Sequence, residues 1–326
     1  MKKKKVILSY DYELFFGDRS GTVQKSLIEP TNQLLDAMDS VGFKGNFFID
    51  WQMLKYLSLE EDERCKRDHA AIVNQLKDMV RRGHRIELHI HPHWVDAKYN
   101  GDGTWNFDEF RHYSLNSFTK DEITEMFVEG TNLLESIARE VEPDYKIIAF
   151  RAGGWAVQPF EMLKEGFIKA GIKIDSSVAI GAYGKNQYSY FDFRDVNSTR
   201  PYFYKFSNDV TSENLNGNFL EVPISTYRRN ILNRIFDRIF RMFVSSSKVI
   251  ADGTHMRNDL REHIKPLRSM VTLSRISHFS SILSVISQRA PIITIIDHPK
   301  DYTRSASTNI KFLSILYRTT KYIDLL

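Results

Sequence analysis

The chain has 326 residues, 42% hydrophobic and 13% aromatic, which is enough apolar material for one large domain or two ordinary ones and excludes a disordered chain. Forty-five basic against 41 acidic residues leave a net charge of +4, too balanced for a surface that binds nucleic acid throughout. One cysteine, Cys65, excludes an intramolecular disulfide framework and suits a reducing compartment; lying against the charged stretch Glu60–Arg64, it is a poor nucleophile.

The lysines Lys2–Lys5 precede only three apolar residues, Val6-Ile7-Leu8, far short of a secretory apolar region of about 7–15 residues. They read as the solvated lead-in to a buried strand over 6–10, and a cytoplasmic location is expected. No run approaches the roughly 18 apolar residues that could span a bilayer. A helix follows over 30–41, then a strand over 46–49, a helix over 70–82 closed by Gly83, and a strand over 86–90. Thr119-Lys120-Asp121-Glu122 has the pattern of a capping box and opens a helix running to about residue 141. Strands over 146–150 and 172–174 flank a helix over 159–170, and a last strand spans 292–296. Hydrophobicity in these strands is continuous rather than alternating, as in a parallel sheet covered by helices on both faces.

The stretch 187–218 is rich in Tyr, Phe, Asn and Ser without helical period and reads as a long loop or small β insertion. With no repeat or linker evident, residues 1–326 are expected to form a single catalytic domain, elaborated over 187–290. That elaboration includes a basic amphipathic helix near 228–248. Leu232, Ile235, Phe236, Ile239 and Phe243 share one helical face and Arg234, Arg238 and Arg241 another. The preferred reading packs the apolar face on the domain and leaves the arginines in solvent. The competing reading lays the helix in a membrane interface.

Chemistry-bearing residues recur just past strand ends: Asp11 and Glu13, then His89-Ile90-His91-Pro92-His93, then Arg151, Asp175 and His298. In α/β barrels the active site is built at that edge from several different strands. Three imidazoles within five residues, with a carboxylate available from the first strand, point to a bound divalent cation and a metal-dependent hydrolase.

The ordered succession Asp11-x-Glu13, His89-x-x-x-His93, Arg151-Ala152-Gly153-Gly154, Asp175-Ser176-Ser177 and Asp297-His298-Pro299 resembles the polysaccharide deacetylase (NodB-homology) family of carbohydrate esterases, over roughly 5–180 and 290–302. The resemblance implies a distorted (β/α) barrel, related to the TIM barrel, and a divalent metal, usually zinc, held by Glu13, His89 and His93. It implies Asp11 as general base toward the attacking water and Arg151 as the group holding Asp11 as a carboxylate. His298 is implied as general acid toward the leaving amine, with Asp175 keeping that imidazole charged and oriented. His91 would share a face with His89 and His93 in an extended segment and could therefore be a ligand, with a supporting or packing role as the preferred reading. Glu13 stands where the family more often has Asp, Arg151-Ala152-Gly153-Gly154 lacks the usual Pro-Tyr, and Val178 stands near a common groove tryptophan that Trp94 or Trp155 would replace.

The implied activity is removal of an N-acetyl group from a sugar, with a nucleotide- or lipid-linked precursor of surface polysaccharide as partner and no nucleic acid. Two other readings compete with it. One is hydrolysis of a non-sugar amide, such as a cyclic ureide or a formyl group; the other is a catalytically inactive barrel that binds glycan.

Overall fold

The computed structural model describes residues 4–196, 203–256 and 269–326. Its main sheet is built from β1 (Lys4–Tyr12), β2 (Gly45–Asp50), β3 (Arg85–Ile90), β4 (Ala149–Ala152), β5 (Ile174–Asp175), β6 (Tyr204–Phe206), β7 (Phe219–Glu221), β8 (Ile292–Asp297) and β9 (Tyr317–Thr319). The spatial order is β6-β7-β5-β4-β3-β2-β1-β8, with β9 beside the start of β1. Every neighbouring pair is parallel except β6 with β7.

The sheet curls until its ends meet. Past β7, the Ser225 N–H donates to the Thr294 carbonyl at 3.0 Å, and the Thr294 N–H donates to Ser225 Oγ at 3.0 Å. Val271 and Ile296 extend this seam, the Val271 N–H reaching the Ser225 carbonyl and the Ile296 N–H reaching the Val271 carbonyl. The result is the expected distorted (β/α) barrel, closed by irregular backbone rather than by a regular last strand. The region 187–290 is therefore more than a loop draped over the barrel: β6 and β7 belong to the main sheet, and residues 225 and 271 form its seam.

Helices cover the outer face because their apolar residues recur at helical spacing. In α1 (Glu29–Asp39) the buried side chains include Leu34, Leu35 and Met38; in α3 (Glu63–Arg81), Ile72, Leu76 and Met79; in α4 (Lys120–Arg139), Ile123, Phe127 and Leu134. The capping box is formed as expected, the Glu122 N–H donating to Thr119 Oγ1 at 3.3 Å and the Thr119 N–H to Glu122 Oε2 at 2.8 Å. Two differences stand out. Helix α2 (Trp51–Leu59) follows directly on β2, with no Gly or Pro to announce it. Helix α3 starts well before residue 70, capped by Asp62, whose Oδ1 accepts the Arg64 N–H at 2.7 Å. That first turn carries Cys65 into the core, fully buried, rather than into a solvated charged stretch. The outer layer is completed by α5 (Lys164–Ala170), α6 (Ile231–Phe243), α7 (His278–Ile286) and α8 (Arg304–Leu316).

Strand alternation assigns each side chain to one face. Val6, Leu8, Tyr10 and Tyr12 of β1 face the helices, whereas Ile7 lies in the inner cluster with Phe48, Ile174, Leu220, Val222 and Tyr322. The short C-terminal turn Tyr322–Leu325 plugs the lower end of the barrel, and the Tyr322 hydroxyl reaches up to Arg151 at 3.2 Å.

A buried histidine links this framework to pH. His84 Nδ1 accepts the Gly45 N–H at 3.0 Å and Nε2 faces Asp39 Oδ1 at 3.1 Å, which requires a neutral ring protonated at Nε2. Burial pushes its pKa down to about 4, against the nearby Asp39 charge. A folded value below the unfolded one near 6.5 means a contribution present above pH 6.5 and lost as pH falls toward 4, by roughly 3 kcal/mol in total. Chemical denaturation of wild type and His84→Gln across pH 4–7 should show the wild-type curve falling more steeply, since the amide cannot titrate.

Candidate metal centre

Ser9, Asp11 and Glu13 alternate along the end of β1 and all face the barrel interior. Arg151, at the matching level of β4, is completely buried and its guanidinium ties this face together. Nη1 donates to Asp11 Oδ1 at 2.5 Å; Nη2 donates to Ser9 Oγ at 2.9 Å and Ser176 Oγ at 3.1 Å; Nε donates to the Ser176 carbonyl at 2.8 Å. The guanidinium also lies over the Phe48 ring, 4.2 Å from its centroid. This is the Arg151–Asp11 pairing anticipated from the motif order.

Two residues further along the chain, just past the end of β1, Glu13 is the meeting point of three cationic or cation-ligating groups. Its Oε2 lies 3.0 Å from His89 Nε2 and 2.6 Å from His91 Nε2, and its Oε1 accepts from Lys300 Nζ at 2.8 Å. Burial alone would raise the Glu13 carboxyl, but Lys300 and the imidazoles outweigh it and hold it well below the usual carboxylate range. His89 Nδ1 lies 2.7 Å from the Arg151 carbonyl, so that nitrogen carries the proton and Nε2 is the atom turned toward Glu13. A backbone carbonyl fixing one ring nitrogen and freeing the other is how ligating histidines are oriented.

The donor atoms of Glu13, His89 and His91 all lie within 4.8 Å of one another and all three residues are buried. One carboxylate oxygen and two imidazole nitrogens make a donor set suited to a zinc-like ion, with room for further ligands. The residues present fit a divalent cation.

The third member differs from the expectation, which named His93. Strand β3 ends at Ile90, and the chain enters a tight 3₁₀ turn over Pro92–Asp96. His91, still extended at φ −111°, keeps the same face as His89, whereas the turn swings His93 into an aromatic box of Phe16, Phe107 and Tyr113. Both nitrogens of the buried His93 lack a hydrogen-bond partner, and burial drives its pKa well below the usual value. Gly153 matters here: a Cβ at that position would lie 2.7 Å from His91 Nδ1 and from the Ile90 carbonyl, so only glycine lets the β4 turn pass behind the imidazole.

His298, directly after β8, faces both carboxylates of β1, with Nε2 3.7 Å from Asp11 Oδ2 and 3.6 Å from Glu13 Oε1. The group on its other side is Asp301, 3.7 Å from Nδ1, and not Asp175. Alternation explains the substitution. Ile174 packs in the inner cluster and Ser176 bonds Arg151, so Asp175 between them points the opposite way. There it hydrogen-bonds Ser177 and shares a hydrogen bond with Glu221; burial, then the neighbouring carboxylate, pushes Glu221 far up, so this buried acid pair carries a proton. Asp301 is itself held low despite its burial by His255 and His298, and it also pairs with Arg275 at 2.8 Å.

Lys300, Asp301 and Glu221 had no assigned role from sequence. Lys300 was visible in the Asp297-His298-Pro299-Lys300 string, but only the turn over Pro299–Asp301 brings its ammonium back onto Glu13. The centre lies at the floor of a cavity of about 970 Å³, walled by Tyr113, Trp155, Phe191 and Tyr227 and bearing Lys185, Arg229 and Arg241. Trp155 is thus the tryptophan that lines the cleft; Trp94 is fully buried, its indole N–H donating to Asp50 Oδ2 at 2.6 Å.

No protein-family model and no curated protein matches the chain in sequence. Among solved structures, a polysaccharide deacetylase from Mycobacterium smegmatis aligns at 14% identity and TM-score 0.48, covering 99% of this chain and 90% of that one. The Bc1960 peptidoglycan N-acetylglucosamine deacetylase aligns at 12% identity and TM-score 0.47, covering 100% and 89%. A variant of the family 4 carbohydrate-esterase pseudoenzyme BA3943 with restored activity aligns at 11% identity and TM-score 0.45, covering 99% and 68%.

The geometry separates two histidines that the motif alone does not. Protein purified with added zinc and analysed by plasma mass spectrometry should hold one ion per chain, retained in His93→Ala and lost in His89→Ala and His91→Ala. Loss in His93→Ala with retention in His91→Ala would restore the ligand set that the resemblance implies.

Proposed function

We propose that the protein is a metal-dependent hydrolase that removes the acetyl group from an N-acetylated sugar, acting on a glycan precursor. The observation that carries this reading is the convergence of Glu13, His89 and His91 on one point, with a buried, arginine-held carboxylate, Asp11, and the His298 imidazole facing each other beside it. A cation held there, most simply zinc, would polarise the acetamide carbonyl and lower the pKa of a water beside it.

The rest of the work falls to the chain. Asp11, fixed by Arg151 through Oδ1, keeps Oδ2 directed toward His298 and the cavity floor and receives the proton of the attacking water there. His298 Nε2 delivers a proton to the departing amine, and Asp301 faces its Nδ1 side at 3.7 Å. Lys300, by neutralising Glu13 Oε1, leaves Oε2 as the oxygen facing the two imidazoles. The aromatic wall of Tyr113, Trp155 and Tyr227 suits the apolar faces of a sugar ring. Lys185 and Arg229 with Arg241 suit a phosphate-bearing substrate, a sugar linked to a nucleotide or to a lipid phosphate.

Acetate release from nucleotide-linked N-acetylhexosamines, followed by a coupled enzymatic assay, tests the reaction, with small cyclic amides as the contrasting substrates. Asp11→Asn should keep its zinc yet lose turnover by about 10²–10⁴-fold, the span usual for a general base. Turnover of cyclic amides without acetate release from any N-acetylated sugar would sink the reading, as would an Asp11→Asn variant as fast as wild type.

A further inference from the structure

Helix α6 is packed with its polarity reversed. Its buried residues are Asn233, Asp237 and Phe240, while Ile231, Leu232, Ile235, Phe236, Ile239, Met242 and Phe243 are exposed, Phe243 at 77% and Met242 at 65%. The sequence reading that packs the apolar face onto the barrel is therefore overturned. The reversal is held by specific bonds. Asn233 Nδ2 donates to Ser280 Oγ at 3.1 Å, Asp237 Oδ1 accepts from the Ser277 N–H at 2.9 Å and Oγ at 2.7 Å, and Asp237 is ion-paired with Arg229. Asn230 and Asn233 cap the first turn reciprocally. Turning this polar face outward would break these bonds and leave the buried Ser277 and Ser280 without them, so the apolar face is kept outside.

At about 100° per residue, the helix divides into three sectors. Asn233, Asp237 and Phe240 face the protein; the exposed apolar side chains span roughly 140° on the other side; Arg234, Arg238 and Arg241 fill the sector between them. The apolar surface continues onto the neighbouring helices. The Phe236 ring meets Phe279 of α7 at 4.9 Å, and Phe312, Ile315 and Leu316 of α8 are exposed beyond them. Helices α6 to α8 carry Arg234, Arg238, Arg241, Arg304 and Lys311, and their one acidic side chain is the buried Asp237. No helix among the described residues is long and apolar enough to cross a membrane.

We propose that this face docks the protein on an anionic membrane surface, with α6 lying in the interface. An exposed apolar sector edged by arginines on a short helix is the arrangement that buries hydrocarbon at headgroup depth while the cations meet lipid phosphates. Charge decides against a second copy of the chain. A two-fold contact sets the same patch against itself, and here it would bring arginine against arginine with no acid to pair them. Arg241 also lines the cavity above the metal centre, so the docked face adjoins the mouth through which substrate enters.

Co-sedimentation of the full chain with vesicles tests this and needs no enzymatic activity, so its outcome is separate from that of the deacetylase reading. Binding is expected to phosphatidylcholine vesicles containing phosphatidylglycerol, weaker in high salt and far weaker to phosphatidylcholine alone. Arg234→Glu/Arg238→Glu should lower the partition coefficient by at least about 25-fold, at roughly fivefold per lost arginine. Ile235→Ser/Phe243→Ser should weaken binding while preserving circular dichroism and zinc content. No binding of wild type to anionic vesicles, or binding unchanged in both variants, overturns the proposal. So does a dimer in gel filtration that Ile235→Ser/Phe243→Ser dissociates, which would give the face to a second copy.

Discussion

Two buried ion pairs, two residues apart at the end of β1 and just past it, set the terms for everything around them. Arg151 with Asp11 and Lys300 with Glu13 each place full charges where almost no solvent reaches. Such pairs barely offset their desolvation unless every remaining donor and acceptor is matched, and removing one partner costs about 3–5 kcal/mol. The structure meets that demand at Arg151 with Ser9, Ser176 and Tyr322, which together take up the guanidinium donors that Asp11 leaves. Those partners come from the first strand, the segment after β5 and the C-terminal turn, so chain ends more than 300 residues apart in a 326-residue sequence are tied to one side chain. The barrel is closed by irregular hydrogen bonds at its seam, but it is braced from inside by this guanidinium.

Strand parity then decides chemistry. Because successive side chains on a strand point to opposite faces, Ser9, Asp11 and Glu13 enter the interior together while Tyr10 and Tyr12 go to the helices. The same rule sends Ser176 inward and Asp175 outward, toward Glu221, and leaves the orienting role beside His298 to Asp301. A displacement of one residue along a strand end moves a carboxylate from the reaction centre to a structural pair. Motif order conveys which strands contribute; register determines which atoms they contribute.

Much of the scaffold could be read from the chain because its signals are local. Continuous apolar runs mark β1, β2, β3 and β8, Gly83 stops α3, and the Thr119–Glu122 capping box forms with both of its reciprocal bonds. Asp11, Glu13, His89 and Arg151 meet at one end of the sheet, though Asp11, His89 and Arg151 lie within the last residues of β1, β3 and β4 rather than after them. The differences arise where a nonlocal contact overrides a local pattern. His93 is displaced because Pro92 starts a 3₁₀ turn and three aromatic rings provide a pocket for its imidazole. Lys300 has no sequence signature as a partner of Glu13, since 287 residues separate them and only the turn after β8 closes the distance. Helix α6 is amphipathic by any count, but amphipathicity alone does not say which face is buried. The answer depends on Ser277 and Ser280 of α7 offering hydrogen bonds to Asp237 and Asn233.

The unmatched polar atoms complete the physical picture. Buried groups without a hydrogen-bond partner cost about 1–3 kcal/mol each, so native folds keep few of them. Among the described residues, Asp50 Oδ1, His91 Nδ1 and both nitrogens of His93 are of this kind near the upper ends of β2 and β3, and others lie in helices, Thr31 in α1, Trp51 and Gln52 in α2 and Thr131 in α4. At the opposite end of the same strands the polar groups are fully engaged: Glu87 accepts from Arg85 and from the Ile148 and Ala149 N–H groups, and His84 uses both nitrogens. Of the residues with such an atom, His91, Arg229 and Ser274 line the cavity, whereas those of α1, α2 and α4 do not. The imidazoles at the end of β3 are oriented by their neighbours, His89 by the Arg151 carbonyl and His91 by the room that Gly153 leaves, and of the two it is His91 that keeps a nitrogen, Nδ1, without a protein partner.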